Sequence, residues 1–204
     1  AEQIPAESPQ ATPLVSCGRP IAGTEVNVVD EEGNDLVERQ VGEILVRGNS
    51  MLSGYYKRPE LTAEVIKSGW YYTGDMGYLS EGELFVTGRK KDLIIVAGKN
   101  VYPQDLEAIA NRVEGIYPGR AVAFGMANQR LGTEGIVMVC ELAESADLEQ
   151  QKAIEQKLRQ RIVEQTEVTL NDVRFVTERW VLKTSSGKLA RAANREKYEG
   201  EFGK

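Results

Sequence analysis

Lys188 closes the stretch Lys183-Thr184-Ser185-Ser186-Gly187-Lys188. A lysine on a small, glycine-containing loop can deliver its ammonium to a phosphate and withdraw it again. The same residues also read as a surface lysine in a Ser/Gly-rich connection. Two further stretches with nucleotide-type chemistry precede it, Tyr72-Thr73-Gly74-Asp75 and Gly88-Arg89-Lys90-Lys91-Asp92. In the first, the Asp75 carboxylate beside a glycine can accept two hydroxyl hydrogen bonds from a ribose diol, or it can satisfy its own turn. In the second, Arg89 follows a glycine at the end of a strand pattern. From there it can reach the same sugar, or pair with Asp92 or Glu83. Lys91 reads by itself as an exposed lysine.

These residues need elements to position them. The first half of the chain reads as β-rich. Residues 25–29 are a strand candidate followed by the turn Asp30-Glu31-Glu32-Gly33-Asn34. Residues 42–48 and 83–88 alternate polar and apolar side chains, the latter after the turn Ser80-Glu81-Gly82. A short helix near 58–66 begins at Pro59. The character changes between Gly88 and Lys91. Residues 93–96 and 100–102 flank Ala97-Gly98-Lys99 as a hairpin. A helix from Pro103 to Val113 follows, with Leu106, Ile109, Ala110 and Val113 at helical spacing. Strands are predicted at 120–125, 135–142 and 173–176. A long helix is predicted over 148–165, with Ile154, Leu158 and Ile162 on one face. The fold class is therefore α+β: a β-rich subdomain over 1–88, then a small α+β domain over 89–204 with helices packed on a sheet.

Composition narrows the chemistry. The chain has 204 residues, enough for one large domain or two small ones, and a net charge of −6 argues against general nucleic-acid binding. Residues 151–204 nevertheless hold 12 Lys/Arg against 8 Asp/Glu. That basic end is either a solvated helical face or a surface for a phosphate-bearing or acidic partner. Histidine is absent, which removes Ser–His triads and His-ligated metals, so no metal site is assigned to these residues. Cys17 and Cys140 are far apart in sequence and read as free thiols of a reducing compartment, with a disulfide between them as the alternative. There is no apolar run near 18 residues and no signal-peptide pattern. The expectation is a cytoplasmic protein without a membrane span. Residues 1–13 contain three prolines and read as a flexible or cut end.

The ordered trio of motifs resembles the C-terminal part of the adenylate-forming superfamily, which includes acyl-CoA synthetases, luciferases, peptide-synthetase adenylation domains and fatty acyl-AMP ligases. Gly69-Trp70-Tyr71-Tyr72 and Met76-Gly77-Tyr78-Leu79 share the likeness. Tyr102-Pro103-Gln104-Asp105, Val15-Ser16-Cys17-Gly18-Arg19-Pro20 and residues 82–88 look most like the fatty acyl-AMP ligase branch. The resemblance implies ribose contacts for Asp75 and Arg89, a hinge at Lys91 and a catalytic role for Lys188. An acyl carboxylate approaching the α-phosphate of ATP brings two anions together, and a cation between them offsets that repulsion. ATP with Mg2+ is the implied cofactor set. The implied partners are a fatty acid and an acyl carrier protein as acceptor. CoA is the alternative acceptor, as in an acyl-CoA synthetase, and a non-catalytic carrier-protein docking module is a further alternative. Many CoA ligases carry lysine where Ile95 stands, although Ile95 also reads as a residue that simply packs a strand. Leu182 stands where the family usually has proline. The superfamily's phosphate loop does not occur in these residues. Its acyl pocket and magnesium-holding glutamate are expected upstream, so this chain alone is expected not to adenylate.

Overall fold

The computed structural model describes the chain except residues 6, 7, 9, 10, 12, 129–132 and 204, and for Asn128 the backbone only. Part of the proline-bearing segment 1–13 therefore lies outside the described residues. The chain forms two compact units, Ala1–Lys91 and Asp92–Lys204.

The first unit is one antiparallel sheet. Strand β1 (Thr24–Val29) pairs with β2 (Gly42–Gly48), Val28 opposite Ile44. Helix α1 (Pro59–Val65) starts at a proline, whose missing N–H would have no intrahelical partner at that position. It runs into the short strand β3 (Ile66–Lys67). Strand β4 (Trp70–Ser80) is the spine of the sheet. One of its edges pairs with β2, and β3 and β5 (Glu83–Arg89) share the other. The β4–β5 turn places Glu81 and Gly82 at φ 55° and 76°, the geometry that matches the twist of a two-residue hairpin. Val28, Val29, Ile44 and Leu45 are buried and form the core of this unit.

In the second unit, β6 (Ile94–Val96) and β7 (Lys99–Val101) form the expected hairpin around Ala97-Gly98. Helix α2 (Pro103–Ala110) again begins at proline but ends three residues before the sequence pattern does. Val113 still reaches the core, from a turn in which Asn111 Oδ1 accepts the Gly119 N–H at 2.8 Å. Strands β8 (Ile116–Asn128) and β9 (Thr133–Leu142) are antiparallel, and β10 (Leu170–Val176) lies parallel to β9. A parallel neighbour needs a crossover, which helix α3 (Leu148–Thr166) supplies. Asp147 caps α3 in a reciprocal capping box with Gln150.

This sheet is buried on both faces, and strand periodicity divides its side chains. Ala121, Ala123, Ile136, Met138 and Cys140 join a core with Leu106, Ile109, Leu158 and Ile162 of α2 and α3. Val122, Phe124, Val137 and Val139 point the other way, to Trp180, Val181 and Tyr198. The second face is covered by helix α4 (Arg191–Phe202), which the sequence pattern does not reveal. Its inward stripe is Asn194, Tyr198 and Phe202, too polar and too short to stand out as amphipathic.

Candidate functional site

Asp75 lies inside β4, not in a free-standing turn. Between the pairs Leu45↔Tyr72 and Glu43↔Met76 the register shifts, so that Thr73, Gly74 and Asp75 face Ile44 alone. This is a β-bulge, which re-aims side chains without ending the strand. Thr73 holds it: its hydroxyl donates to Ile44 O at 2.8 Å and accepts the Asp75 N–H at 3.0 Å. Gly74 has φ +71°, and a Cβ there would meet nothing within 4 Å. The glycine therefore serves a left-handed backbone rather than a close approach.

The bulge aims Asp75 across to its β5 partner, Arg89. Arg89 Nε meets Asp75 Oδ1 at 2.8 Å, with the side chains 54% and 34% exposed. So open a pair contributes little to stability. What it provides is a pre-aligned carboxylate and guanidinium, one acceptor and several donors, at an accessible edge. Of the partners open to Arg89 in sequence, neither Asp92 nor Glu83 is used. Glu83 accepts from Ser16 Oγ at 2.6 Å, and Asp92 pairs with Arg191. Tyr71, part of the Gly69–Tyr72 stretch, belongs here together with Tyr55, which no motif singled out. Tyr71 precedes the bulge and shares a hydrogen bond with Tyr55. That bond, together with burial, raises its phenol above the usual value, and the charges of Arg89 and Asp75 act on it as well.

Lys91 is exposed, within the 3-10 turn Lys90–Asp92. Its neighbours are both tied. Lys90 Nζ donates to Glu43 Oε2 at 2.7 Å in the first unit. Asp92 Oδ2 accepts from Arg191 at 3.0 Å in the second. Lys91 thus sits between two anchored residues.

Lys188 belongs to the second unit, on a tight loop. Lys183 and Leu189 form a β-bridge. Thr184 N–H donates to Lys188 O at 2.7 Å, and Lys188 N–H to Thr184 Oγ1 at 3.2 Å. Gly187 takes φ +81° with open space where a Cβ would point, again a conformational requirement. The Lys188 side chain is exposed, and its ammonium has no hydrogen-bond or ion-pair partner among the described residues. The chain entering the loop is pinned by the buried Glu141 and its half-buried partner Arg120. Val181 N–H donates to Glu141 Oε1 at 2.7 Å, while Arg120 donates to Val181 O at 3.1 Å and lies 3.7 Å from Glu141. Leu182, at the position where the resemblance expects proline, uses the N–H that proline lacks. It donates to Asn194 Oδ1 at 2.8 Å.

Immediately after the loop, Arg191 forks onto Glu107, with Nε to Oε1 at 2.9 Å and Nη2 to Oε2 at 2.6 Å. Glu107 also accepts the Ala123 N–H at 3.1 Å and is only 4% exposed. Burial, with a smaller contribution from the Glu107 carboxylate, pushes the neighbouring Asp105 carboxyl up from 3.8 to about 6. The folded protein then holds this proton more tightly than the unfolded chain does. The stabilisation is complete below the unfolded value and is lost as pH rises through about 6. Asp105→Asn is therefore expected to raise stability above about pH 7 by roughly 1–2 kcal/mol, after allowance for solvent screening, and to leave it unchanged below about pH 4. Urea unfolding at the two pH values measures the difference.

Ile95 does not pack in the core. It lies on β6 at 48% exposure, with its N–H donated to Glu134 Oε2 at 2.7 Å and its carbonyl accepting from Thr133 Oγ1 at 2.9 Å. Among the described residues no group of three or more His, Cys, Asp or Glu side chains could hold a metal ion. Mg2+ that arrives with a nucleotide is held largely by phosphate oxygens and water, with one or two carboxylates, and needs no such cluster. No helix among them is long and apolar enough to cross a membrane.

A family model described as AMP-binding enzyme matches residues 4–56. A putative acyl-CoA synthetase of Caulobacter vibrioides is 34% identical, over 100% of this chain and 35% of that protein. A solved structure from studies of fatty acyl-adenylate ligases of E. coli and L. pneumophila superposes with a TM-score of 0.83 at 33% identity, over 100% of this chain and 35% of its own. That of McyG A-PCP complexed with phenylalanyl-adenylate gives 0.81 at 36% identity, over 92% of this chain and 34% of its own. The chain spans about a third of the length of each of these three proteins.

Proposed function

The chain belongs to the adenylate-forming superfamily of AMP-binding enzymes, and on that premise we propose that it is the C-terminal part of a fatty acyl-AMP ligase. In this reading the first unit closes the β-subdomain of the large domain, and the second is a lid that pivots at Lys91. Asp75 and Arg89 take the ribose hydroxyls of ATP and AMP. Lys188 stands between the fatty-acid carboxylate and the α-phosphate. A carboxylate oxygen bonds to the α-phosphorus, pyrophosphate leaves, and the ammonium offsets the charge that gathers between them. The phosphopantetheine thiol of an acyl carrier protein then attacks the acyl carbon, and AMP leaves.

The observation that carries this reading is Lys188: an ammonium without a partner among the described residues, at the tip of a loop whose base is pinned by buried groups. A lysine serving only as surface charge needs no such support. Adenylate-forming enzymes use ATP with Mg2+, and in this reading the glutamate that helps hold the ion lies upstream of these residues.

Ile95 favours the carrier protein over CoA as acceptor. It presents an apolar side chain to solvent at the position where many CoA ligases carry a cation. The acyl-CoA synthetase relative from Caulobacter keeps CoA as the second reading. The test is an assay of the full-length enzyme with a fatty acid and ATP, given holo-carrier protein or CoA separately. Acyl-carrier thioester without acyl-CoA is the expected result, and acyl-CoA as the main product moves the assignment to a synthetase. Carrier binding without adenylate formation identifies a docking module. The 204-residue chain alone is expected to give no ATP–pyrophosphate exchange, and measurable exchange overturns that part of the reading.

A further inference from the structure

The stripe by which α4 faces the sheet contains one residue that does not belong to an apolar surface. Tyr198 is 7% exposed and Phe202 packs beside it, but one turn earlier stands Asn194, 0% exposed. A leucine there would extend the apolar stripe and bring no side-chain polar group to satisfy. A buried carboxamide is tolerated only when its donors and acceptors are met. Those of Asn194 are met entirely by the two residues flanking the Lys188 loop. Its Oδ1 accepts the Leu182 N–H at 2.8 Å. Its Nδ2 donates to Leu182 O and to Ala190 O, both at 2.9 Å. Ala190 N–H closes the base by donating to Leu182 O at 3.1 Å, and the Asn194 N–H donates to Ala190 O at 2.9 Å.

The chemistry leaves little choice of residue. Aspartate cannot donate to two carbonyls, glutamine is a methylene longer, and leucine offers neither donor nor acceptor. Among the described residues, the chain between the clamped positions has only the Lys183↔Leu189 bridge and the internal bonds of Thr184 to hold it. Resting on the proposed role of Lys188, we propose that Asn194 is the positioning residue of the catalytic loop: it fixes the base of the hairpin and so fixes where the Lys188 backbone stands. Lys188 keeps a flexible side chain, but its root does not wander. Preorganisation of this kind counts only when charge develops, so its loss should appear in turnover rather than in substrate binding.

Amide exchange on this chain tests the clamp without any activity. The Leu182 and Ala190 amides should exchange slowly, and those of Ser185 and Ser186 quickly. In Asn194→Ala the first two should accelerate on the order of tenfold or more, with trypsin cleavage after Lys183 and Lys188 rising in step and the amides of β8 and β9 unchanged. Unchanged Leu182 and Ala190 exchange in a folded variant overturns the proposal. If the variant does not fold, a Leu182 amide that exchanges as fast as Ser186 in the unmodified protein overturns it instead. In the full-length enzyme, Asn194→Ala should lower kcat for adenylation with KM for ATP retained, and should add nothing on top of Lys188→Ala. Additive losses would mean a merely structural role and sink the positioning claim. Failure of the functional reading looks different: Lys188→Ala leaves adenylation intact while Leu182 and Ala190 still respond to Asn194→Ala.

Discussion

Lys188→Ala is expected to slow acyl-adenylate formation by the full-length enzyme roughly a hundred- to a thousandfold, about 2.7–4 kcal/mol of barrier, the scale of removing one preorganised donor from a charge-stabilising site. The same change should leave folding stability within about 0.5 kcal/mol, because an exposed side chain away from any packed contact contributes little. Both halves of this expectation follow from one geometry. The ammonium has no partner to lose among the described residues, and its loop is held by the backbone bonds of Thr184 and by groups at its base. Lys188→Arg should recover only part of the rate. The guanidinium keeps the charge but spreads it over a rigid planar fork in place of a compact point. Single-turnover adenylate formation and thermal unfolding, measured on the same variant, separate the two halves. A normal rate refutes the catalytic role, and a large drop in stability refutes the description of the loop.

Arg191→Ala is expected to do the reverse, destabilising the second unit by about 3–5 kcal/mol, the usual result of removing one partner from a buried pair. Arg191 is 19% exposed, and the Glu107 side chain it forks onto is 6% exposed. Its loss leaves the Glu107 carboxylate in the core with the Ala123 N–H as its remaining partner, and it releases Asp92 next to Lys91. Arg191→Lys should recover little, since an ammonium cannot reproduce the two-pronged contact and reach Asp92 as well. The two tryptophans fall one in each unit, Trp70 and Trp180. Denaturant unfolding followed by Trp180 fluorescence in a Trp70→Phe background therefore reports the second unit. A change below about 1 kcal/mol would mean that the network is screened like a surface pair.

The local features of the fold were legible because local rules produce them. Pro59 and Pro103 mark the first turns of α1 and α2. Glu81-Gly82 marks a turn and Ala97-Gly98 a hairpin. The spacing of Ile154, Leu158 and Ile162 marks α3 to within a residue at its end. The bulge in β4 was not legible: Tyr72-Thr73-Gly74-Asp75 carries turn chemistry whether or not Ile44 lies opposite to keep the strand paired. Helix α4 was hidden for a related reason. Its inward stripe includes a polar residue whose hydrogen bonds are met only by the Leu182 and Ala190 backbone, so apolar periodicity undercounts it.

By itself, the order of residues determined which side chains are chemically capable here: a carboxylate at Asp75, a guanidinium at Arg89, an ammonium at Lys188, and no imidazole anywhere. Only the tertiary structure decided what each is free to do. Asp75 and Arg89 are 14 positions apart and meet because a bulge and a cross-strand register bring them together. Arg191 and Glu107 are 84 apart and bury one another. Lys188 is left without a partner among the described residues, while Arg191 and Lys197 after it are engaged. The physical reason is that hydrogen bonds and ion pairs depend on distances of about 3 Å, whereas sequence patterns record only periodicity along one element.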